Sequence, residues 1–243
     1  MAKELVVLEQ RLLERNDTRA AELRRRFKEA GVLVVNLMSS PGAGKTTLLT
    51  ATLPALSPEP AAVVVGDLAT DNDARRLCTA TPWVRQITTG TVCHLEAAMV
   101  EEAIARWDLT QLRYLFIENV GNLVCPASFD LGEAARVVLF AVTEGEDKPE
   151  KYPPILHRAD LVLLTKSDLL APLGFDVQRF VASVHRVNPK VPILPVSART
   201  GEGLAAWLDW LRVLRGAWLS GSDERVRARL QLPERVNHED QRS

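Results

Sequence analysis

The run Ser39-Ser40-Pro41-Gly42-Ala43-Gly44-Lys45-Thr46 has the residue types and spacing that hold a polyphosphate. It matches the phosphate loop G-x-x-x-x-G-K-[ST], with Ser39 in place of the first glycine. Gly42 and Gly44 let the backbone curl so that successive N–H groups point inward. A helix opening near Thr46 aims the positive end of its dipole at the same spot. Lys45 can reach the β- and γ-phosphates, and the Thr46 hydroxyl can ligate Mg²⁺. Gly42, Ala43, Gly44, Lys45, Thr46 and Thr47 are therefore the expected cradle of a nucleotide. Ser39 must fit its place without the positive φ open to glycine. A Gly-rich turn that binds nothing would not need the branched strand before it and the helix behind it.

Two further runs speak to the base. Thr165-Lys166-Ser167-Asp168 resembles the guanine-reading N-K-x-D motif of GTPases, with Thr in place of Asn. The Asp168 carboxylate can accept from guanine N1–H and the exocyclic amine, donors that adenine lacks in that place. The Lys166 stem can lie over the base plane. Ser197-Ala198-Arg199 resembles the S-A-K element whose backbone receives the guanine oxygen. Each run alone is an ordinary surface turn; together, in this order, they favour GTP over ATP. Glu118-Asn119-Val120-Gly121 closes an apolar strand. Glu118 can hold Mg²⁺, often through water, and Gly121 offers a backbone N–H to a γ-phosphate. Between these lies Gly66-Asp67-Leu68-Ala69-Thr70-Asp71-Asn72-Asp73, an acidic loop with a helix behind it. Asp67 and Asp73 read as further contacts near Mg²⁺, and Asp71 as a helix cap.

A second chemistry is soft. Cys93-His94 precedes a helical stretch, and Cys125 lies four residues beyond Gly121. Two thiolates and an imidazole suit Zn²⁺ or Ni²⁺. The bland alternative, buried small side chains and a helix-end histidine, is equally open on spacing alone. Three donors do not close a tetrahedral shell, but a symmetric dimer brings in a second set. A movement at Gly121 would reach Cys125 through one short segment, a switch biased by the phosphate. Cys78, alone in a helical stretch, reads as packing. His157, His185 and His238 are isolated and carry no assigned role.

These residues need a scaffold. Branched or apolar runs occur at Val32–Met38, Ala62–Val65, Tyr114–Ile117, Val137–Val142, Leu161–Leu164 and Ile193–Val196. Helix-length segments lie between most of them, at Thr46–Leu56, Leu95–Trp107, Asp176–Val187 and Leu204–Leu214. Short, fully apolar strands alternating with helices predict an α/β P-loop NTPase fold, a mostly parallel sheet with helices on both faces. Residues 1–31 read as an N-terminal helical segment, with Asn16-Asp17-Thr18 as a break or a second cap. Residues 32–215 read as the GTP-binding domain, and 216–243, polar and rich in charge, as a flexible tail.

The 243 residues suffice for one such domain with short appendages. A net charge of -1 gives no chain-wide footprint for nucleic acid. No apolar run approaches a membrane span, and the N-terminus lacks the apolar core of a secretory signal. Three cysteines cannot all pair within the chain, which suits reduced thiols in a cytoplasm.

Taken together, SPGAGKTTLL, GDLATDNDARR, TGTVCHLEAA, LFIENVGNLVCPASFDLGE, VTEGEDKPEKYP and VSARTGEGL resemble the HypB family of hydrogenase nickel-incorporation GTPases. The E-x-x-G form at Glu118 is likewise similar to dimerising P-loop proteins of the signal-recognition, MinD and metallochaperone group. The resemblance spans roughly residues 32–215. It implies a GTPase that delivers nickel to the large subunit of [NiFe]-hydrogenase, with a small zinc-containing HypA-type partner; turnover is expected to be slow because no catalytic Gln or Arg finger stands out in the sequence. It implies GTP-dependent homodimerisation, a Ni²⁺ or Zn²⁺ site of Cys93, His94 and Cys125, and Asp73 and Glu118 near Mg²⁺. Lys148 or Lys151 would touch the nucleotide across the dimer. Residues 1–31 contain neither Cys nor His, so the cysteine-rich or His-rich N-terminal nickel motif of some members is not expected here. The alternatives are a GTPase chaperone for urease or a cobalamin-dependent mutase, a non-catalytic metal-binding scaffold and, last, a small-molecule kinase.

Overall fold

The computed structural model describes residues 2–68 and 71–222, with side chains from residue 10 onward. A long helix α1 (Ala2–Ala30) leads into strand β1 (Leu33–Ser39), helix α2 (Lys45–Ala55) and strand β2 (Ala61–Asp67). Helix α3 (Asn72–Leu77), strand β3 (Val84–Thr88), helix α4 (Ala97–Ile104) and strand β4 (Tyr114–Glu118) follow. The second half runs β5 (Ala135–Ala141), α5 (Lys148–Lys151), α6 (Pro153–His157), β6 (Leu161–Thr165), α7 (Val177–Val187), β7 (Ile193–Val196) and α8 (Leu204–Ser220).

The seven strands form one sheet in the order β3-β2-β4-β1-β5-β6-β7. Every pairing is parallel, from Leu33 against Tyr114 to Thr165 against Val196. Because side chains alternate across a strand, each strand feeds two layers. Leu33, Val35, Leu37, Val63 and Phe116 pack under α2 and α8, with Leu48, Leu49, Trp207 and Leu211. Val34, Val64, Leu115 and Ile117 pack against α1 and α4, with Leu23, Phe27, Val100 and Ile104. Val138, Phe140, Val162 and Leu164 meet α6 and α7 through Ile155, Leu156, Phe180 and Val184. Each such fully buried side chain contributes on the order of 1.5–3 kcal/mol, so both faces must be covered.

Edge strand β3 has no counterpart in the sequence reading. Its pattern VRQIT is half-exposed and carries polar residues, so it lacks the apolar run that marks the inner strands. The expected break at Asn16–Thr18 is absent. The helix runs through it, because Asn16 turns inward and bonds to other parts of the fold instead of capping its own backbone. Helix α8 continues past position 215 to Ser220, and its last turns bury Ala217 and Trp218. Residues 223–243, most of the expected tail, lie outside the described residues, as does His238. Among the described residues no helix is long and apolar enough to cross a membrane.

The consequence for function is one of placement. The phosphate loop follows β1, Asp67 ends β2, Glu118 ends β4, Thr165 ends β6 and Ser197 follows β7. All lie at the carboxyl edge of a parallel sheet, where α/β folds hold ligands.

Candidate functional site

A cavity of about 340 Å³ opens beside the phosphate loop. Pro41, Gly42, Gly44, Lys45, Thr46, Asp67, Asp73, Glu118 and Gly121 line it, so most groups expected around phosphate and Mg²⁺ face one space. Gly42 and Gly44 take φ of 74° and 99°, which L side chains rarely adopt. Ser39 has no positive φ and stays in strand geometry. Its hydroxyl gains a task that the motif does not announce: it accepts from Lys45 Nζ at 2.9 Å. Burial lowers the Lys45 pKa, and the carboxylates of Glu118 and Asp73 push the other way.

The Thr46 hydroxyl donates to Glu118 Oε1 at 2.7 Å, joining the first turn of α2 to the end of β4. Glu118 is 3% exposed, and its Oε2 has no hydrogen-bond partner. Burial pushes its carboxyl up to about 7, against the pull of Lys45 and Thr46. A buried carboxylate with an unused oxygen beside a hydroxyl is a donor set that a hard divalent cation would complete. The donors therefore fit Mg²⁺. Gly121 is held by space: a Cβ there would lie 2.9 Å from Pro41 Cα, so only glycine lets this loop rest against the phosphate loop. Asp73 pairs loosely with Arg76 at 3.7 Å. Asp71 sits at the N-cap position of α3 but caps no amide; its carboxylate takes Arg75 Nε at 2.8 Å.

A neighbouring cavity of about 200 Å³ shares Gly44 and Thr47 with the first. Ala43, Thr165, Lys166, Asp168, Ser197, Ala198 and Arg199 line it, so both base-reading runs converge on one pocket. Thr165 substitutes for the motif's Asn by a direct bond: its hydroxyl lies 2.6 Å from the Ala43 carbonyl and braces the phosphate loop. Lys166 takes φ 59°, the described residue other than glycine with a positive φ. Ser197 Oγ donates to Asp168 Oδ1 at 2.7 Å and aims the carboxylate. Ser167 Oγ donates to Glu202 Oε2 at 2.9 Å and Ser197 N to the Glu202 carbonyl at 2.9 Å, so Glu202 bridges the two runs.

Cys93, His94 and Cys125 form the third assembly. Their ligand atoms lie within 4.8 Å of one another, the only such cluster of three or more metal-ligating side chains among the described residues. The two sulfurs are 2.6 Å apart. Contact with the Cys125 sulfur, then burial, pushes the Cys93 thiol up. His94 stacks on Phe129 with ring centroids 3.8 Å apart, and neither ring nitrogen has a hydrogen-bond partner. Burial lowers the His94 pKa against the pull of Glu96, whose carboxylate lies 3.7 Å from Nε2, and so favours the neutral imidazole. Two soft sulfurs and an imidazole without a hydrogen bond fit Ni²⁺ or Zn²⁺ as a bound ion. Asn122 joins the two segments, donating to the Cys93 carbonyl at 3.2 Å and accepting from Val124 N at 2.9 Å.

Several side chains do not enter these sites. Cys78 is exposed, not packed, because it caps the open end of α3. His185 bonds the Val191 carbonyl, and His157 lies on α6 away from all three assemblies. Lys148 pairs with Glu144 and Lys151 with Asp147 within this chain. Asn122 and Phe129 escaped sequence reasoning, since a lone Asn or Phe carries no motif, and at Ser39 the motif gave the place but not the bond to Lys45.

The family model for the CobW/HypB/UreG nucleotide-binding domain matches residues 33–195. A hydrogenase maturation factor HypB of Azotobacter vinelandii is 53% identical over 225 residues, covering 92% of this chain and 72% of the relative. The crystal structure of HypB from Helicobacter pylori in complex with nickel superposes with a TM-score of 0.80 at 40% identity, over 83% of this chain and 95% of that one. HypB from Archaeoglobus fulgidus gives 0.77 at 35% identity, over 83% and 99%.

Proposed function

The chain belongs to the HypB hydrogenase maturation factors of the CobW/HypB/UreG family, and from this premise we propose that it hydrolyses GTP to control the delivery of nickel. We read residues 32–215 as the GTP-binding domain and 1–31 as a helical segment serving it. GTP is the substrate; Gly42, Ala43, Gly44, Lys45, Thr46 and Thr47 cradle its phosphates, and Lys166, Asp168, Ser197 and Ala198 read guanine. Lys45 steadies charge on the transferring phosphoryl group. Glu118, with Thr46 and Asp73, would hold Mg²⁺, and Asp67 lies on the same cavity wall. When bound, that ion supplies positive charge for the phosphate oxygens. Gly121 offers its N–H where a γ-phosphate would lie. Among the described residues no Gln lines this cavity, and the arginine that does, Arg76, is turned to Asp73 and Thr47, which supports slow intrinsic turnover.

Nickel is the cargo, and the observation that carries the reading is the short run from Gly121 to Cys125. It joins the wall of the phosphate cavity to the soft donor cluster. Cys93, His94 and Cys125 supply three donors, and a second copy would complete four-coordination, which supports a GTP-dependent homodimer. The recipient is the large subunit of [NiFe]-hydrogenase, and a HypA-type protein is the proposed partner, in the cytoplasm.

Nickel and zinc stoichiometry should be measured with oligomeric state, in GDP and in a non-hydrolysable GTP analogue, for wild type and Cys93→Ala. The analogue is expected to promote a metal-bearing dimer, and Cys93→Ala to lose the metal. Metal content indifferent to both nucleotide and Cys93 would end the delivery mechanism.

A further inference from the structure

Asn16 is an anomaly of position. It lies mid-helix in α1, where a polar side chain would ordinarily face water, yet it is 7% exposed. Its amide is used at both ends. Nδ2 donates to the Asp130 carbonyl at 2.8 Å, and Oδ1 accepts from Ala97 N at 2.9 Å.

Both partners belong to segments that carry the soft donors. Ala97 opens α4 three residues after His94, and its N–H is among those that a helix leaves without an internal acceptor. Glu96, at the N-cap position, makes no side-chain cap bond, so Asn16 supplies the acceptor from another element. Asp130 directly follows Phe129, whose ring stacks on His94. One carboxamide thus joins the chain behind the imidazole to the chain behind the ring that supports it. The Phe129 side is held again from below. Arg136 donates to the carbonyls of Ala127 and Phe129, and Arg24 of α1 pairs with Asp130. Asn122 fixes the sulfur end of the same two segments through the Cys93 carbonyl.

We propose that Asn16 is a positioning residue for the Cys93–His94–Cys125 metal site, setting the separation of the two ligand-bearing segments from the N-terminal helix. Helix α1 is then part of the metal site's frame, although it contributes no ligand. The inference rests on the metal reading of those three side chains given above.

The test is a titration of the full chain with Ni²⁺ alone, followed by thiolate-to-nickel charge-transfer absorption, beside a thermal melt. Asn16→Leu removes both bonds at similar volume. It is expected to weaken Ni²⁺ about ten-fold, the lower end of what outer-shell support costs a metal site, and to alter the charge-transfer spectrum. Asn16→Asp keeps the acceptor for Ala97 N–H and loses the donor to Asp130; it should fall between wild type and Leu. Phe27→Leu, a core change farther along α1, should lower the melting temperature with wild-type affinity and spectrum.

Wild-type nickel affinity and spectrum in folded Asn16→Leu would overturn the inference. So would an equal loss in Phe27→Leu, which would reduce Asn16 to a helix-docking residue. Should Asn16→Leu fail to fold, Asn16→Asp decides: unchanged binding overturns the inference, and an intermediate loss supports it. Cys93→Ala separates the two levels. If it loses nickel while folded Asn16→Leu does not, only the Asn16 inference falls. If it keeps nickel, the site reading falls and takes the inference with it.

Discussion

Around the phosphate cavity, Lys45, Thr46 and Glu118 are 8%, 7% and 3% exposed, and each hangs from a strand end or from the first turn of a helix. Around the sulfurs, Cys93, His94 and Cys125 are only half-buried and hang from loops, held by Asn122, Phe129 and Arg136. The nucleotide cradle borrows its geometry from the sheet, so its parts are in place before any ligand arrives. The soft cluster borrows its geometry from hydrogen bonds between loops and from helix α1 to those loops, and it offers three donors where an ion takes four. A preorganised pocket can bind and wait. A cluster on loops can change its affinity when a neighbouring segment moves. This difference suits the proposed function, in which one ligand is held firmly and the other is given away.

The comparison breaks most visibly at Lys45. If the cradle is preorganised around this ammonium, Lys45→Ala should reduce GTP turnover by about 10³-fold, the loss typical of a removed donor to developing charge. Single-turnover phosphate release measures it. A loss of less than ten-fold would mean that the backbone of the loop does the work and that Lys45 is dispensable.

The next effect lies in Glu118. Its carboxyl is pushed from an ordinary 4.5 up to about 7, mainly by burial. In that window the folded chain holds a proton that the unfolded chain has released, so stability falls as pH rises. The contribution is complete below pH 4.5 and is lost as pH passes through about 7, a span of ~3 kcal/mol at most. Urea unfolding of the chain without nucleotide or metal, at about pH 5 and about pH 8, should show the decline, and Glu118→Gln should flatten it. Equal pH slopes in the two proteins would show that the carboxyl is not held at that value. Near the sulfurs Glu133 is comparably buried, but Arg136 Nε donates to it at 2.6 Å, so the two regions bury a carboxylate in different ways.

The strand–loop–helix pattern and the phosphate motif were legible because each depends on residues near in sequence. So was the soft set, since Cys and His are rare enough to stand out. Edge strand β3 was not, because a half-exposed strand has no continuous apolar run. The turn inward of Asn16 was not either, because its partners are 81 and 114 positions away and no local rule announces them. Cys78 misled for a related reason: its apolar character suggested packing, but only the end of α3 decides that it faces water. The Thr at position 165 seemed a departure from its motif, yet the hydroxyl meets the carbonyl it needs.

Phe129 tests the loop side of the comparison. Its ring is the flat support of His94, and Phe129→Leu keeps the apolar volume while removing the stack. Nickel affinity should fall about two- to twelve-fold, in line with the ~0.5–1.5 kcal/mol such a ring pair contributes. An unchanged affinity would mean that the imidazole is oriented by the chain alone, and the soft site would then be more rigid than its loops suggest.

The smallest effect concerns Thr165, and it bears on whether the cradle is as rigid as its burial implies. The hydroxyl reaches the Ala43 carbonyl at 2.6 Å and also lies 3.3 Å from the Phe140 carbonyl. Thr165→Val removes the bond at nearly constant volume and leaves the buried Ala43 carbonyl without this donor. The cost should be about 1 kcal/mol of stability, the net worth of an ordinary hydrogen bond. Thr165→Asn should restore most of it, because a carboxamide N–H can donate to the same carbonyl and matches the motif. If Val weakens nucleotide binding several-fold while Asn recovers it, the bond braces the loop for its ligand. If both substitutions leave stability and binding unchanged, Gly42 and Gly44 set the loop's shape without help from β6.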